Sequence, residues 1–587
     1  MNTLKLLLTG LIILSITSCS TAPKKPAWQV QSDRIAQEHV LDFAEIFPED
    51  ASELGYQQFD KLGEQPSHQT RLLCFEKLKQ WERKLQTLLE DTHSADLRID
   101  LEILLAQTQL DLEHFALDEQ ERLIAIGRPS QSIFNSLSQL VNEQFSSERQ
   151  RRAVDRFKHY MSTENKNTYV TDLKQRLLYD KKKYEGKLTA FSYPSAEFIN
   201  NYLKNSDSFV AGIEELLIKT GRTDWKEEFE TFKTEVHEYD LLLKQEILPL
   251  VPKRTQLSRK RYELRLKRFG NSTSPENMIS EGKKVFQKDY LELKGLAQEI
   301  AKKHSLKNNS PAYVTQFLKN SAVKDAHEAK ALYQKANQRL ESLIKKHDLV
   351  TLPQKPLLIR LGSKAESKAS PVPHLNIPPL LNNKGETPEF VVPTGESQNE
   401  LPYDDFSHFG MALALTAHEG RPGHDLQFQH ILEKPISIIR AAYAFNSVNV
   451  EGWALYAEQI MVPHLNLEEQ FSFLQSKMWR VARYFLDPMI HLGQANEKFI
   501  IQVLHKQLGL SEALSQTEYD RYSFRMPGQA PSYYQGYHNL VAFKERLEAQ
   551  IGKMETKCFH DTLLSLGLMP HNRLESLKNN FVDCKHM

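Results

Sequence analysis

The sequence predicts a mostly α-helical protein, and three observations carry that expectation. Glycine is sparse, with 23 in 587 residues. Long stretches are rich in Leu, Lys, Glu and Gln, all strong helix formers. Apolar residues recur at three- and four-residue intervals, the period of an amphipathic helix. The charge balance is even, 75 Lys+Arg against 75 Asp+Glu. That balance gives no global field and no basic block to hold a polyanion, so nucleic acid is set aside as a partner.

The elements follow in chain order. Residues 1–19, "MNTLKLLLTGLIILSITSC", place Lys5 before an apolar run from Leu6 to Ile16 that is too short for a mature membrane span and reads as a signal peptide. The approach "ITSC" resembles the lipobox of bacterial lipoproteins, which makes Cys19 the lipidated residue, and Ser20 after it resembles outer-membrane rather than inner-membrane sorting. The expectation is an envelope protein, anchored by lipid at the outer membrane and facing the periplasm. Residues 20–31 are then a tether, and no later segment is apolar for long enough to cross a bilayer.

Residues 32–350 read as a helical N-terminal part, with packing helices such as "LRIDLEILLAQTQLDLEHFAL" and "EEFETFKTEVHEYDLLLKQEIL". "LPLVPKR" is a helix stop, and in "FGNSTSPENM" Ser274 caps a new helix with Pro275 at its first position. Residues 351–587 form the part expected to carry chemistry, continuous with the first as one domain. Between Leu352 and Tyr403, prolines crowd short β-prone runs, which is where a small sheet fits. "EFVVPT", bounded by prolines, is expected at a sheet edge. In an oxidising periplasm Cys558 and Cys584 are able to pair and clamp the tail, leaving Cys74 as a buried thiol.

The helices after Asp404 carry the unusual polar residues. In "MALALTAHEGRPGHDLQ", His418, Glu419 and His424 interrupt an apolar run. Histidines six apart diverge on a straight helix, by about 120° in direction and about 9 Å along the axis. Pro422 has no N–H for the carbonyl of His418, and Gly420 and Gly423 widen the backbone choices, so the helix is expected to bulge and return His424 toward His418. Two imidazoles and a carboxylate in an apolar stretch point to a cation. The third ligand is expected from Asp425, His430 or Glu451. Asp425 points elsewhere, His430 lies on "QFQHILEK", which reads as surface, and Glu451 opens a second apolar helix 27 residues after His424. Glu458, seven positions on, shares its face and is placed to hold a ligand from behind.

"HEGRPGH", "EGWALYAE", "RVARYFLDPMIH", "PGQAPSYYQG" and "FHDTLLSLGLMP" occur in the order that resembles the bacterial domain-of-unknown-function family 885, which looks like a distant relative of helical zinc oligopeptidases. The resemblance spans nearly the whole mature chain. It implies a large helical metallopeptidase-like fold with a small sheet beside the active-site helix. It also supports Glu451, whose spacing resembles that of metallopeptidases with a glutamate third ligand. The chain departs from the family at "DPMIH", where a proline replaces a small polar residue, and at Asp425, where the family often has histidine.

The expected chemistry is one Zn2+ per chain on His418, His424 and Glu451, with Glu419 as general base and acid for amide hydrolysis of short peptides. The oxyanion donor is expected to be Tyr533, the tyrosine that aligns best with the family's, or Tyr534, both read as lying in a Gly- and Pro-rich loop; His491 is the rival, oriented by Asp487 four positions earlier. Arg525, Arg483 and Arg480 are candidates to grip a peptide carboxylate, with Tyr534 beside them, although structural ion pairs suit two of the three. Two other readings stay open: a non-catalytic envelope protein that binds peptides around a structural or relic ion, and an amidase acting on wall peptides.

Overall fold

A computed structural model describes residues 25–585 except 122–125, 163–166, 190–191, 193, 255, 396 and 398. The leader and Cys19 lie outside the described residues. Residues 27–31, expected in the tether, already belong to the first helix, Ala27–Phe43. Trp28 explains the difference, because it stacks under the Arg440 guanidinium at 4.8 Å while Gln29 donates to the Pro435 carbonyl.

Helices dominate from there. Ala27–Phe43, His68–Asp91 and Ala95–Gln120 pack together at the start of the chain. Five helices from Pro129–Leu140 to Lys226–Leu242 then close around a core of their own, with Phe134, Phe157, Ile213 and Tyr239 at its centre. Pro275–Lys303 begins as expected, with the Ser274 hydroxyl accepting from the Asn277 N–H and Pro275 at the first position. It lies along Leu467–His491, the helix that backs the candidate site. The largest core takes Leu104, Tyr262 and Leu340 from before position 350 and Ile359, Leu413, Trp453 and Phe559 from after it. Among the described residues no helix is long and apolar enough to cross a membrane.

The proline-rich segment forms three short strands, β1 (Leu358–Leu361), β2 (His374–Asn376) and β3 (Glu389–Val392). β3 is central rather than at the edge: β1 pairs with it parallel and β2 antiparallel. The prolines that suggested an edge, Pro388 and Pro393, fall just outside the strand, so every residue within it keeps its N–H. Cys558 and Cys584 form a disulfide that ties the Thr556–Ser565 helix to the tail, and Cys74 is a buried free thiol.

Candidate metal centre

The histidine-bearing stretch makes two helices, not one bulged helix. Phe409–Glu419 is apolar on every side and buried, and it stops at Gly420; His424–Glu433 starts after a cis Arg421–Pro422 bond. Gly423 permits the break, because a Cβ there would sit 1.8 Å from the His418 carbonyl oxygen. The loop is pinned from both sides. The Trp453 indole N–H donates to the carbonyls of Pro422 and Gly423, and Arg421 pairs with Asp425 and Glu341. The result places the His418 and His424 rings 4.9 Å apart and nearly perpendicular.

Glu451, one turn into the Ser447–Met461 helix, completes the set. Its Oε2 lies 3.3 Å from His418 Nε2 and 3.4 Å from His424 Nε2, and donor atoms of all three residues fall within 4.8 Å of one another. Ligands at about 2.0–2.1 Å from a tetrahedral ion stand roughly 3.3 Å apart, so these two edges already have the length that a zinc-sized ion requires. Behind the ligands, His418 Nδ1 meets Glu458 Oε1 at 2.8 Å, which directs Nε2 toward the shared point. Gln529 donates to Glu451 Oε1 at 3.2 Å and accepts from Arg521 at 2.6 Å, so it aims the carboxylate.

Charge supports the same reading. Glu419 and Glu458 stand near Glu451, and Arg480, 3.5 Å from Glu458, is a guanidinium whose charge acts on both Glu419 and Glu458. Burial works against every one of these carboxylates. Hydrogen bonds and charge from His418 and His424 nevertheless hold Glu451 well below the carboxylate range, and Arg480 with His418 lowers Glu458. For Glu419 burial wins, reinforced by Glu451 and only partly offset by His424, Arg480 and the Leu375 N–H of β2, and its carboxyl is pushed up to about 7. Burying carboxyl groups this close together is costly, and a divalent ion would offset that cost.

Tyr533 reaches this centre. Its ring stacks on His418 at 5.8 Å, and its hydroxyl accepts from Arg521 at 3.1 Å, which leaves the hydroxyl proton to offer. It stands on the first turn of the Ser532–Ile551 helix rather than in a loop. Tyr534, next to it, points the other way into Tyr484, Tyr537 and His538.

The remaining candidates do not join the site. His491 is fully engaged, with Nδ1 accepting from the Leu257 N–H and Nε2 donating to the Tyr522 carbonyl. Asp487 does not orient it; the carboxylate takes hydrogen bonds from Tyr262 and Gly528, 4.0 Å short of His491 at best. Both lost their expected roles because the helix packs that face against its neighbours. Arg483 forms a buried pair with Glu518 under the Tyr533 ring, and Arg525 donates to the Thr517 carbonyl. His430 is buried rather than on the surface, because the His424–Glu433 helix is covered by Thr556–Ser565. Sequence reasoning assigned no role to Gln529 or Arg521. Gln529 lies in "PGQAPSYYQG", where a lone amide amid Gly and Pro was the available signal.

The Ser447–Met461 and Ser532–Ile551 helices cross where Gly452 meets Gly536; a Cβ on Gly536 would fall 2.0 Å from the Val448 carbonyl oxygen. This contact sets Tyr533 beside Glu451. Gly536→Ala is therefore expected to lower Tm through overpacking of about 1–3 kcal/mol, read by thermal denaturation.

Comparison with known proteins agrees with this architecture. Residues 48–577 match the family described as bacterial protein of unknown function (DUF885), and the chain belongs to that family. A solved "putative lipoprotein of unknown function" from Shewanella oneidensis superposes with a TM-score of 0.68 at 18% identity, covering 94% of this chain and 99% of its own. A "putative lipoprotein" from Colwellia psychrerythraea gives 0.67 at 17% identity, covering 95% and 100%. At that identity the likeness shows a shared fold. No curated protein matches the chain.

Proposed function

We propose that this member of the DUF885 family is a metal-dependent peptidase of the bacterial envelope that hydrolyses amide bonds in short peptides. The observation that carries the proposal is the convergence of His418, His424 and Glu451 with 3.3 and 3.4 Å edges, beside a glutamate that is not needed as a ligand. A divalent ion held by those three residues, zinc by the donor set, supplies Lewis acidity toward a water molecule and a carbonyl oxygen. Glu419 takes the proton from the water at its carboxylate and passes it to the departing amine nitrogen. The Tyr533 hydroxyl donates to the carbonyl oxygen as negative charge gathers there. Glu458 keeps the His418 proton on Nδ1, and Gln529 keeps Glu451 turned inward.

Attachment by lipid at Cys19 is part of the same proposal. The lipobox-like "ITSC" supports it, as do the names of the two structural neighbours. A structural or relic ion would make Glu419 superfluous, which is why the enzymatic reading is preferred.

Metal analysis tests the premise directly. The purified mature protein is expected to carry one divalent ion per chain by elemental analysis, and His424→Ala and Glu451→Ala are each expected to lose it. Retention of the ion by both variants overturns the ligand set. Removal of the ion by a chelator is expected to stop hydrolysis of a mixed peptide library, with recovery when zinc is returned.

A further inference from the structure

A cavity of about 210 Å³ shares no lining residue with the metal centre and carries five arginines on its wall. Local pattern brings them there. Arg261 and Arg265 stand four apart on one face of the Arg259–Arg268 helix, Arg254 closes the "LPLVPKR" stop that leads to it, and Arg525 ends the one-turn Arg521–Arg525 helix. Arg128, which is exposed, marks the side open to solvent. Arg128 and Ser195 also cap the starts of the Pro129–Leu140 and Ala196–Lys219 helices, so two helix N-termini add partial positive charge to the same wall.

Among the described residues of this lining none is acidic. Arg261 is answered by Glu121 and Asp118, which are not on the wall. Arg254, Arg265 and Arg525 donate to the carbonyls of Ser192, Pro527 and Thr517, acceptors that carry no charge. The positive field reaches past the lining. His491, whose Nδ1 accepts from the Leu257 N–H, is pushed down to about 3, by burial first, against the Tyr522 carbonyl, and then by Arg265 and Arg254. Two residues on the wall also hold donors without an acceptor. Ser523 is 3% exposed, and neither its Oγ nor Arg525 Nε has a hydrogen-bond partner among the described residues. A buried donor left unpaired is costly, and an anion in the cavity supplies the missing acceptor.

We infer that this cavity binds a small soluble ligand through a phosphate group. A phosphate presents close to two negative charges and three terminal oxygens, enough to take two guanidinium forks and a hydroxyl, whereas a carboxylate offers one charge and two oxygens. The volume is about seven times the share of one water molecule in the liquid, which admits a phosphate with a short organic body attached. The site does not depend on the hydrolysis proposed above.

Calorimetric titration at low salt and about pH 8, where a phosphate is mostly a dianion, tests this. The ligands are inorganic phosphate, glycerol phosphate and acetate. Each is titrated into protein as purified and into chelator-treated, dialysed protein, because a metal ion at the His418 centre would itself attract phosphate. Both phosphates are expected to bind at one per chain in both preparations, at least about tenfold more tightly than acetate. Arg525→Gln and Arg254→Gln are each expected to weaken them by about tenfold or more. Lys260→Gln, which removes a charge from an exposed position on the Arg259–Arg268 helix outside the cavity, is expected to change nothing. Thermal melting checks that each variant is folded. Where an arginine variant melts early, Ser523→Ala carries the test, with weaker phosphate binding expected at an unchanged Tm, since the hydroxyl it removes has no partner to lose. Four results overturn the inference: phosphate bound only when the metal is present, acetate bound as tightly as phosphate, Lys260→Gln weakening binding as much as Arg525→Gln, and binding to phosphatidate vesicles with neither soluble phosphate bound.

Discussion

Glu419→Gln is expected to keep the ion and lose peptide hydrolysis by about 10²- to 10⁴-fold, the range a positioned general base contributes. The substitution preserves size and leaves an amide oxygen able to accept from the Leu375 N–H, so the end of the Phe409–Glu419 helix has no reason to move. What it removes is the capacity to hold a proton. Because Glu419 is not among the residues whose donor atoms converge, elemental analysis is expected to find the same metal content as in wild type. The pH profile adds a second readout. Burial raises this carboxyl to about 7 in the metal-free protein, and a nearby divalent cation favours the ionised form and draws it down. Activity of the loaded enzyme is thus expected to fall on the acid side, at a pH below 7, as Glu419 becomes protonated. Full activity in the Gln variant, or loss of its ion, counts against the assignment.

Much of this was legible in the sequence, for reasons that separate cleanly by range. His418, His424 and the glycines between them declared a break because proline and glycine act on their own neighbours. Glu458 was legible because seven residues on a helix return to the same face, and the structure places it on His418. The form of the break was not legible. A bulge and a clean stop both relieve the clash at Pro422, and Trp453, 31 residues further on, helps hold the loop that the stop creates. His491 and Asp487 failed for a related reason. Their i,i+4 spacing is real, but Tyr262, Leu257 and Gly528, all distant in sequence, claim their polar atoms. Gln529 and Arg521 were missed because aiming a ligand leaves no periodic trace. The central position of β3 was hidden by prolines that lie one residue outside it on either side.

Glu518→Gln is expected to destabilise the fold by about 3–5 kcal/mol, the cost of leaving buried cations without their partner. Glu518 is 1% exposed and gathers four donors: the Trp479 indole at 2.9 Å, Arg483 at 2.7 and 3.0 Å, and the Tyr522 hydroxyl at 2.6 Å, with Arg521 3.8 Å away. Glutamine keeps the shape and one acceptor, but the buried Arg483 then has no anionic partner and faces the partly exposed Arg521. Burial alone would raise the Glu518 carboxyl; Arg483 and Arg521, with hydrogen bonds from Arg483 and Tyr522, overcome it and hold the group at about 2 against an ordinary value of 4.5. A depressed folded-state value means that this stabilisation is complete above about pH 4.5 and is lost as pH falls from there toward 2. Denaturant melts of wild type are therefore expected to weaken steeply over that interval, and those of Glu518→Gln to show a shallower fall. Arg521 also holds Tyr533 and Gln529, so the same variant is expected to lower kcat, while a conservative Glu518→Asp change that keeps the charge recovers part of both losses. Equal pH dependence in the two proteins would show that the buried charge does not link the scaffold behind Tyr533 to the stability of the fold.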